Sequence, residues 1–127
     1  MEVFDFKIQL PVYGMYVHVF GGNYQKAKES FEKRYNLAID IDDCQAFTFH
    51  MTKNFKHPYM VGIVLDELNF NPQSIGVLVH EVTHAVTYIF ERLHIPISKE
   101  NDESMAYLIG YLTYSILDKY LKIQNKK

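Results

Sequence analysis

A long apolar stripe between residues 72 and 92 constrains the fold of this chain more than any other feature. Its apolar side chains repeat at intervals of three and four residues: Ile75, Leu78, Val79, Val82, Val86, Ile89 and Leu93. Such spacing places them on one face of an α-helix, and that face must be buried. Asn71-Pro72 supplies an N-cap and a first-turn proline, and His94-Ile95-Pro96 interrupts the pattern. The sequence therefore predicts a core helix over residues 72–92.

Two further helices are predicted from the same periodicity. One starts near Asn101 and has the apolar stripe Met105, Leu108, Ile109, Leu112, Ile116 and Tyr120. The connection to it is short enough for a helical hairpin with the core helix. The other begins after an N-cap at Asn23 and runs to about Tyr35, with Tyr24, Ala27, Phe31 and Tyr35 at helical spacing.

Short apolar segments predict the β-strands. They cover residues 2–10, 15–20, 46–51 and 60–66, with a turn through Pro11 and Gly14 and a polar loop over residues 53–59. The expected fold class is α+β. We expect three or four short, largely antiparallel strands on one side of the helical hairpin, with the first helix packed against the sheet.

Length, charge and composition exclude several classes of protein. A chain of 127 residues with 48% apolar residues is expected to form a single domain over residues 1–127. A net charge of −2 without a basic stripe argues against a nucleic-acid partner. The acidic residues at the start of the sequence are untypical of a secretory signal, so secretion by that route is not expected, and no apolar run approaches the length of a membrane span. The single cysteine, Cys44, excludes an internal disulfide and fits the cytoplasm.

The core helix carries the motif His80-Glu81-Val82-Thr83-His84. Residues four apart lie on the same helix face, so both imidazoles can bind one tetrahedral zinc ion while Glu81 lies beside an open coordination position. Zinc lowers the pKa of a bound water toward about 7, and Glu81 can take the proton as general base. The motif predicts a hydrolytic centre with one zinc ion that lacks a third protein ligand.

Glu103, in the first turn of the third helix, is the best candidate for that third ligand. Ala106 and Gly110 lie on the same face, and their small size would let the third helix approach the core helix closely. The alternative for Glu103 is an exposed acid favoured by the helix dipole.

The chain at this point resembles the gluzincin metallopeptidases, in which HExxH in one helix is followed by a glutamate on the next helix. Here Glu103 follows His84 by 19 residues. The size resembles the minimal members, called minigluzincins, and the segment 102–111 is similar to small HExxH proteins of bacteriophages. The resemblance covers residues 72–115 and implies zinc bound by His80, His84 and Glu103, with Glu81 as general base in peptide-bond hydrolysis.

Some residues depart from related patterns. Metzincins place Gly and His three and six residues after the second motif histidine, where this chain has Thr87 and Phe90, so His94 is not expected to bind zinc. Thermolysin-like gluzincins place an Asp four residues after the ligand glutamate, and Tyr107 stands there. A peptidase also needs a group that stabilises the oxyanion, and Tyr107, Tyr88 and Tyr114 are candidates.

Three further histidines lie in the first half of the chain, outside the motif. His18, His50 and His57 are expected to lie away from the motif as surface or partly buried residues.

The resemblance implies a peptide or protein substrate aligned by the backbone of an edge strand, either residues 60–65 or 46–51. Two alternatives stay open: a non-catalytic zinc-stabilised phage or bacterial protein, such as a virion component or a host-factor binder, and hydrolysis of a nonpeptide amide or ester.

Overall fold

The computed structural model of the protein describes residues 3–39, 46–50 and 59–126. The elements in chain order are β1 (Phe4–Leu10), β2 (Met15–Gly21), α1 (Tyr24–Tyr35), β3 (Ala46–His50), β4 (Met60–Leu65), α2 (Pro72–Arg92) and α3 (Asp102–Asn125). A short 3-10 turn over Lys99–Asn101 leads into α3. The bounds of α1 and α2 and the start of α3 agree with those predicted from the apolar periodicity.

The four strands form one mixed sheet in the order β1-β2-β4-β3. β1 pairs with β2 and β3 pairs with β4 in antiparallel orientation, whereas the central β2 and β4 are parallel. The prediction of an α+β fold with a small sheet of three or four strands is confirmed, and the sheet is mixed because its central pair is parallel. β4 is paired on both sides and β3 lies at an edge of the sheet.

The sheet separates two hydrophobic clusters. On one face, α2 and α3 pack against Val17 and Val19 of β2 and Ile63 of β4, all fully buried. On the other face, α1 packs through Phe31 and Tyr35. Alternating side chains of β2 and β4 reach opposite clusters, as the two-residue period of a strand requires. The helical hairpin therefore lies on one face and the remaining helix on the other.

Gly62 in the middle of β4 permits a close approach between α1 and the sheet. A Cβ atom at this position would overlap the ring of Phe31. Phe31 is fully buried, and its ring also contacts Phe20 and Phe47. The absence of a side chain at Gly62 therefore fixes how closely α1 packs.

Both ends of α2 are capped by specific hydrogen bonds. The Asn71 side chain accepts a hydrogen bond from the Ser74 backbone N–H at 2.8 Å, as expected for an N-cap. At the other end His94 has a left-handed backbone with φ of 57°. Its N–H donates to the Glu91 carbonyl, and the Ile95 N–H donates to the Phe90 carbonyl. These two bonds form a Schellman motif, which ends the helix and satisfies its last carbonyls.

No helix in the described ranges combines the length and the apolar character that crossing a membrane requires.

Candidate metal centre

Two histidines of α2 lie against each other on the outer side of the helix. The Nε2 atoms of His80 and His84 are 3.1 Å apart, and their rings are nearly perpendicular. Both residues are exposed, whereas Val82, Ala85 and Val86 on the opposite side of α2 are completely buried. The packing of these apolar residues therefore turns both imidazoles outward from the core.

The separation of the two nitrogens fits one bound metal ion. Tetrahedral zinc holds imidazole nitrogens at about 2.0 Å, which separates two such nitrogens by about 3.3 Å. The observed distance of 3.1 Å is close to that value. His80 and His84 can therefore occupy two adjacent coordination positions of a single ion without a change of helix geometry.

Glu81 lies on the side of α2 that faces the edge of the sheet. Its side chain is 9% exposed, and its Oε2 atom lies 4.0 Å from Nε2 of His80. The other carboxylate oxygen, Oε1, accepts a hydrogen bond from the Thr48 hydroxyl of β3 at 2.7 Å. The carboxylate is thus held next to the histidine pair by a strand that is distant in sequence.

Glu103 is not brought into this group. It is exposed in the first turn of α3, on the side of the helix opposite to the buried Leu108 and Leu112. Within the described ranges, no three His, Cys, Asp or Glu side chains are arranged to hold a metal ion. The structure places His80, Glu81 and His84 together, and Glu103 as the third ligand stays a prediction.

The small residues of α3 do not make the expected close contact. Ala106 and Gly110 are both exposed, and a Cβ atom on Gly110 would meet no atom within 4 Å. The helices pack instead through the larger apolar residues, including Leu112 and Ile116 of α3. The expectation of a close approach on the face of Ala106 and Gly110 is therefore wrong, because the longer apolar stripe decides which face of α3 is buried.

The three tyrosine candidates for oxyanion stabilisation have different surroundings. The ring of Tyr88 is stacked beside that of His84, with ring centroids 6.3 Å apart. Tyr107 is 73% exposed and lines a groove of about 320 Å³ together with Pro11 and Val12 of the β1–β2 turn. Tyr114 is also exposed. Tyr88 is therefore the candidate next to the motif, and a catalytic role for Tyr107 stays a prediction.

His18 differs from the expectation of a surface or partly buried residue. It is completely buried beneath α1, where Nε2 lies 2.7 Å from Oδ2 of Asp5 and Nδ1 contacts the Tyr35 hydroxyl. Because a carboxylate only accepts hydrogen bonds, Nε2 carries the proton and Nδ1 accepts from Tyr35. Burial lowers the pKa of His18, although Asp5 acts in the opposite direction. The strand pattern alone does not reveal that Asp5 and Tyr35 are hydrogen-bond partners of His18.

His57, Cys44 and the side chain of His50 lie outside the described residues. Thr48 is the residue near the motif that the sequence analysis did not single out. The signal available for it was weak: alternation in β3 places Ala46 and Thr48 on the face opposite to Phe47 and Phe49. Which of these faces meets α2 depends on how the sheet is assembled.

Comparisons of the chain with protein-family models, curated proteins and solved structures found no match.

Proposed function

We propose that this protein is a zinc-dependent peptidase. The observation that carries the proposal is the pair of Nε2 atoms of His80 and His84, 3.1 Å apart, with the Glu81 carboxylate beside them. Two imidazole ligands and a general base on adjacent turns of one helix are the main part of a site for metal-assisted hydrolysis, and a third protein ligand would complete it.

Each residue of the site has a definite task in this proposal. When bound, zinc supplies a Lewis acid that polarises a carbonyl and lowers the pKa of water. His80 and His84 would hold the ion, and Glu81 would take a proton from the attacking water through Oε2, the oxygen that faces His80. Glu103 is proposed as the third ligand, which requires the first turn of α3 to move toward the histidine pair.

Among the described residues β3 is an edge strand, and this edge is proposed to align the substrate. Of the two strands considered from the sequence, β4 is paired on both sides, and only β3 lies at an edge. β3 also contacts α2 at Glu81 through Thr48. An extended peptide that pairs with the β3 backbone would therefore lie alongside the motif helix, with its main-chain hydrogen bonds supplied by the strand.

Two other functions use the same residues. A non-catalytic protein in which zinc stabilises the fold, such as a virion component or a host-factor binder, would need the two histidines but not the carboxylate of Glu81. Hydrolysis of a nonpeptide amide or ester would need all three residues. The buried and anchored carboxylate of Glu81 favours a catalytic centre over a purely structural one.

The first test measures bound metal by elemental analysis in the wild-type protein, His80→Ala and Glu103→Ala. The expected result is close to one zinc per chain in the wild type and a loss of zinc in both variants, because each removes a ligand. Full zinc in His80→Ala would contradict the metal centre. Full zinc in Glu103→Ala would remove Glu103 from it and leave the histidine pair.

The second test measures hydrolysis of a library of quenched fluorogenic peptides by the wild type and by Glu81→Gln. Glutamine keeps the size of the side chain and an acceptor for Thr48, but it cannot take a proton. We expect Glu81→Gln to retain zinc and lose about 100-fold or more of the activity. Glu29→Gln, an exposed glutamate of α1, is the matched control. Unchanged cleavage by Glu81→Gln, or no cleavage by zinc-loaded wild type, would overturn the peptidase proposal.

A further inference from the structure

We propose that Thr48 is a positioning residue for Glu81 and that it links the edge strand to the general base. Its hydroxyl holds one oxygen of the Glu81 carboxylate, so that the other oxygen faces His80. The inference rests on the proposed peptidase function and adds to it the way in which the base is oriented.

The distances identify the acceptor of the Thr48 hydroxyl. Oγ1 of Thr48 lies 2.7 Å from Oε1 of Glu81 and 3.0 Å from the Glu81 backbone carbonyl. A hydroxyl has a single proton, and a carboxylate is the stronger acceptor. The proton therefore goes to Oε1, the nearer and charged oxygen. Oε2 is left 4.0 Å from Nε2 of His80, where it is free to act on a water.

Packing fixes the position of Thr48 itself. Thr48 is paired with Ile63 of the central strand β4, and its neighbours Phe47 and Phe49 pack on the opposite face of the sheet, toward α1. Phe47 is buried, and its ring contacts that of Phe31. Because Phe47 and Phe49 pack on the face of β3 toward α1, the position of the strand is fixed. The Thr48 hydroxyl on the opposite face therefore contacts α2 at a defined position.

This arrangement joins substrate binding to the orientation of the base. A peptide that pairs with β3 would bind to the strand that carries Thr48. By restricting the motion of β3, the peptide would also restrict the Glu81 carboxylate, which Thr48 holds by a hydrogen bond. The Thr48 hydroxyl does not belong to the β3 backbone that would pair with the peptide, so removing it should leave that pairing unchanged. Thr48 is therefore expected to affect kcat and to have little effect on KM.

The experiment compares Thr48→Val, which removes the hydroxyl at nearly constant shape, with Thr48→Ser, which retains it. Thr48→Ala completes a second pair, because Ser and Ala differ only by the hydroxyl. Thr113→Val is the matched control, since the Thr113 hydroxyl donates only to a carbonyl of its own helix, that of Ile109, at 2.8 Å. Each variant is checked for thermal unfolding and zinc content, and kcat and KM are measured with the best-cleaved peptide of the library.

The expected result is a fall in kcat of about ten- to a hundredfold in Thr48→Val and Thr48→Ala, with KM and zinc content unchanged. Thr48→Ser should recover most of the activity, and Thr113→Val should match the wild type. A value of kcat in Thr48→Val equal to that of the wild type would overturn the proposal, as would an equal loss in Ser and Ala. If Thr48→Val does not fold, the Ser and Ala pair decides.

A wild-type protein without hydrolytic activity would refute the peptidase function but not the positioning role. In that case NMR relaxation of the Glu81 side chain gives the answer. Increased motion of Glu81 in Thr48→Val, restored to the wild-type level in Thr48→Ser, would support positioning by Thr48. Motion that is the same in all three proteins would refute it.

Discussion

At the scale of single residues, His18 makes the stability of the fold depend on pH. Its imidazole is completely buried between Asp5 and Tyr35, and burial lowers its pKa below the ordinary value of 6.5. In the unfolded chain the same imidazole takes a proton near pH 6.5. As the pH falls through that value, the unfolded state binds more protons than the folded state, so the free energy of unfolding decreases.

The expected outcome is that the contribution of His18 to the free energy of unfolding is present above pH 6.5 and is lost progressively as the pH falls from there toward the lower pKa of the folded state. Urea unfolding between pH 8 and 5, with a chelator present to remove metal, measures this loss. His18→Gln keeps a polar group in the site but does not titrate, and its stability should depend less on pH over that range. An equal slope in both proteins would assign the pH dependence to other groups.

At the scale of secondary-structure elements, the helices were predictable and the strand pairing was not. Asn23 and Asn71 cap α1 and α2 through hydrogen bonds to residues three positions later, so their signals are local. The strands were found from their own apolar patterns. Their order in the sheet depends on long-range packing, and the parallel pairing of β2 with β4 has no local signal.

A substitution at the C-terminal end of α2 is expected to stabilise the protein. His94 occupies the left-handed position of the Schellman motif, which costs a residue with a Cβ about 1 kcal/mol and which glycine adopts freely. Because glycine also loses more entropy on folding, His94→Gly should stabilise the protein by a net ~0.5 kcal/mol. Thermal unfolding measures this gain. Zinc content should not change, and a loss of zinc would instead show that His94 is a ligand.

The proximity of some residues in the candidate site is predictable from local sequence, and that of others depends on the tertiary fold. His80, Glu81 and His84 belong to one helix, so their spacing alone predicts that they lie together. Thr48 comes close to Glu81 only because β3 is at the edge of the sheet next to α2. Whether Glu103 reaches the same site depends on the rotation and position of α3, which its own sequence pattern does not determine.

At the scale of the whole molecule, zinc binding and folding are expected to be linked. A ligand that binds only the folded state stabilises it by about 2.7 kcal/mol when its concentration is 100 times the Kd. Zinc should therefore raise the thermal midpoint of the wild type, and His84→Ala should abolish the increase. The effect should weaken in acid, because protonated imidazole does not bind metal. Calorimetry with and without zinc measures this, and an equal increase in His84→Ala would contradict the assignment.

The exposed histidine pair of α2 also has a practical consequence for purification. Imidazole ligands bind Ni²⁺ and Cu²⁺ readily, and copper generally binds more tightly than zinc at a given set of ligands. The Nε2 atoms of His80 and His84 already lie 3.1 Å apart on the exposed side of α2. An immobilised nickel resin should therefore retain the untagged chain and leave nickel on it, so the native metal must be determined on protein purified by charge and size alone.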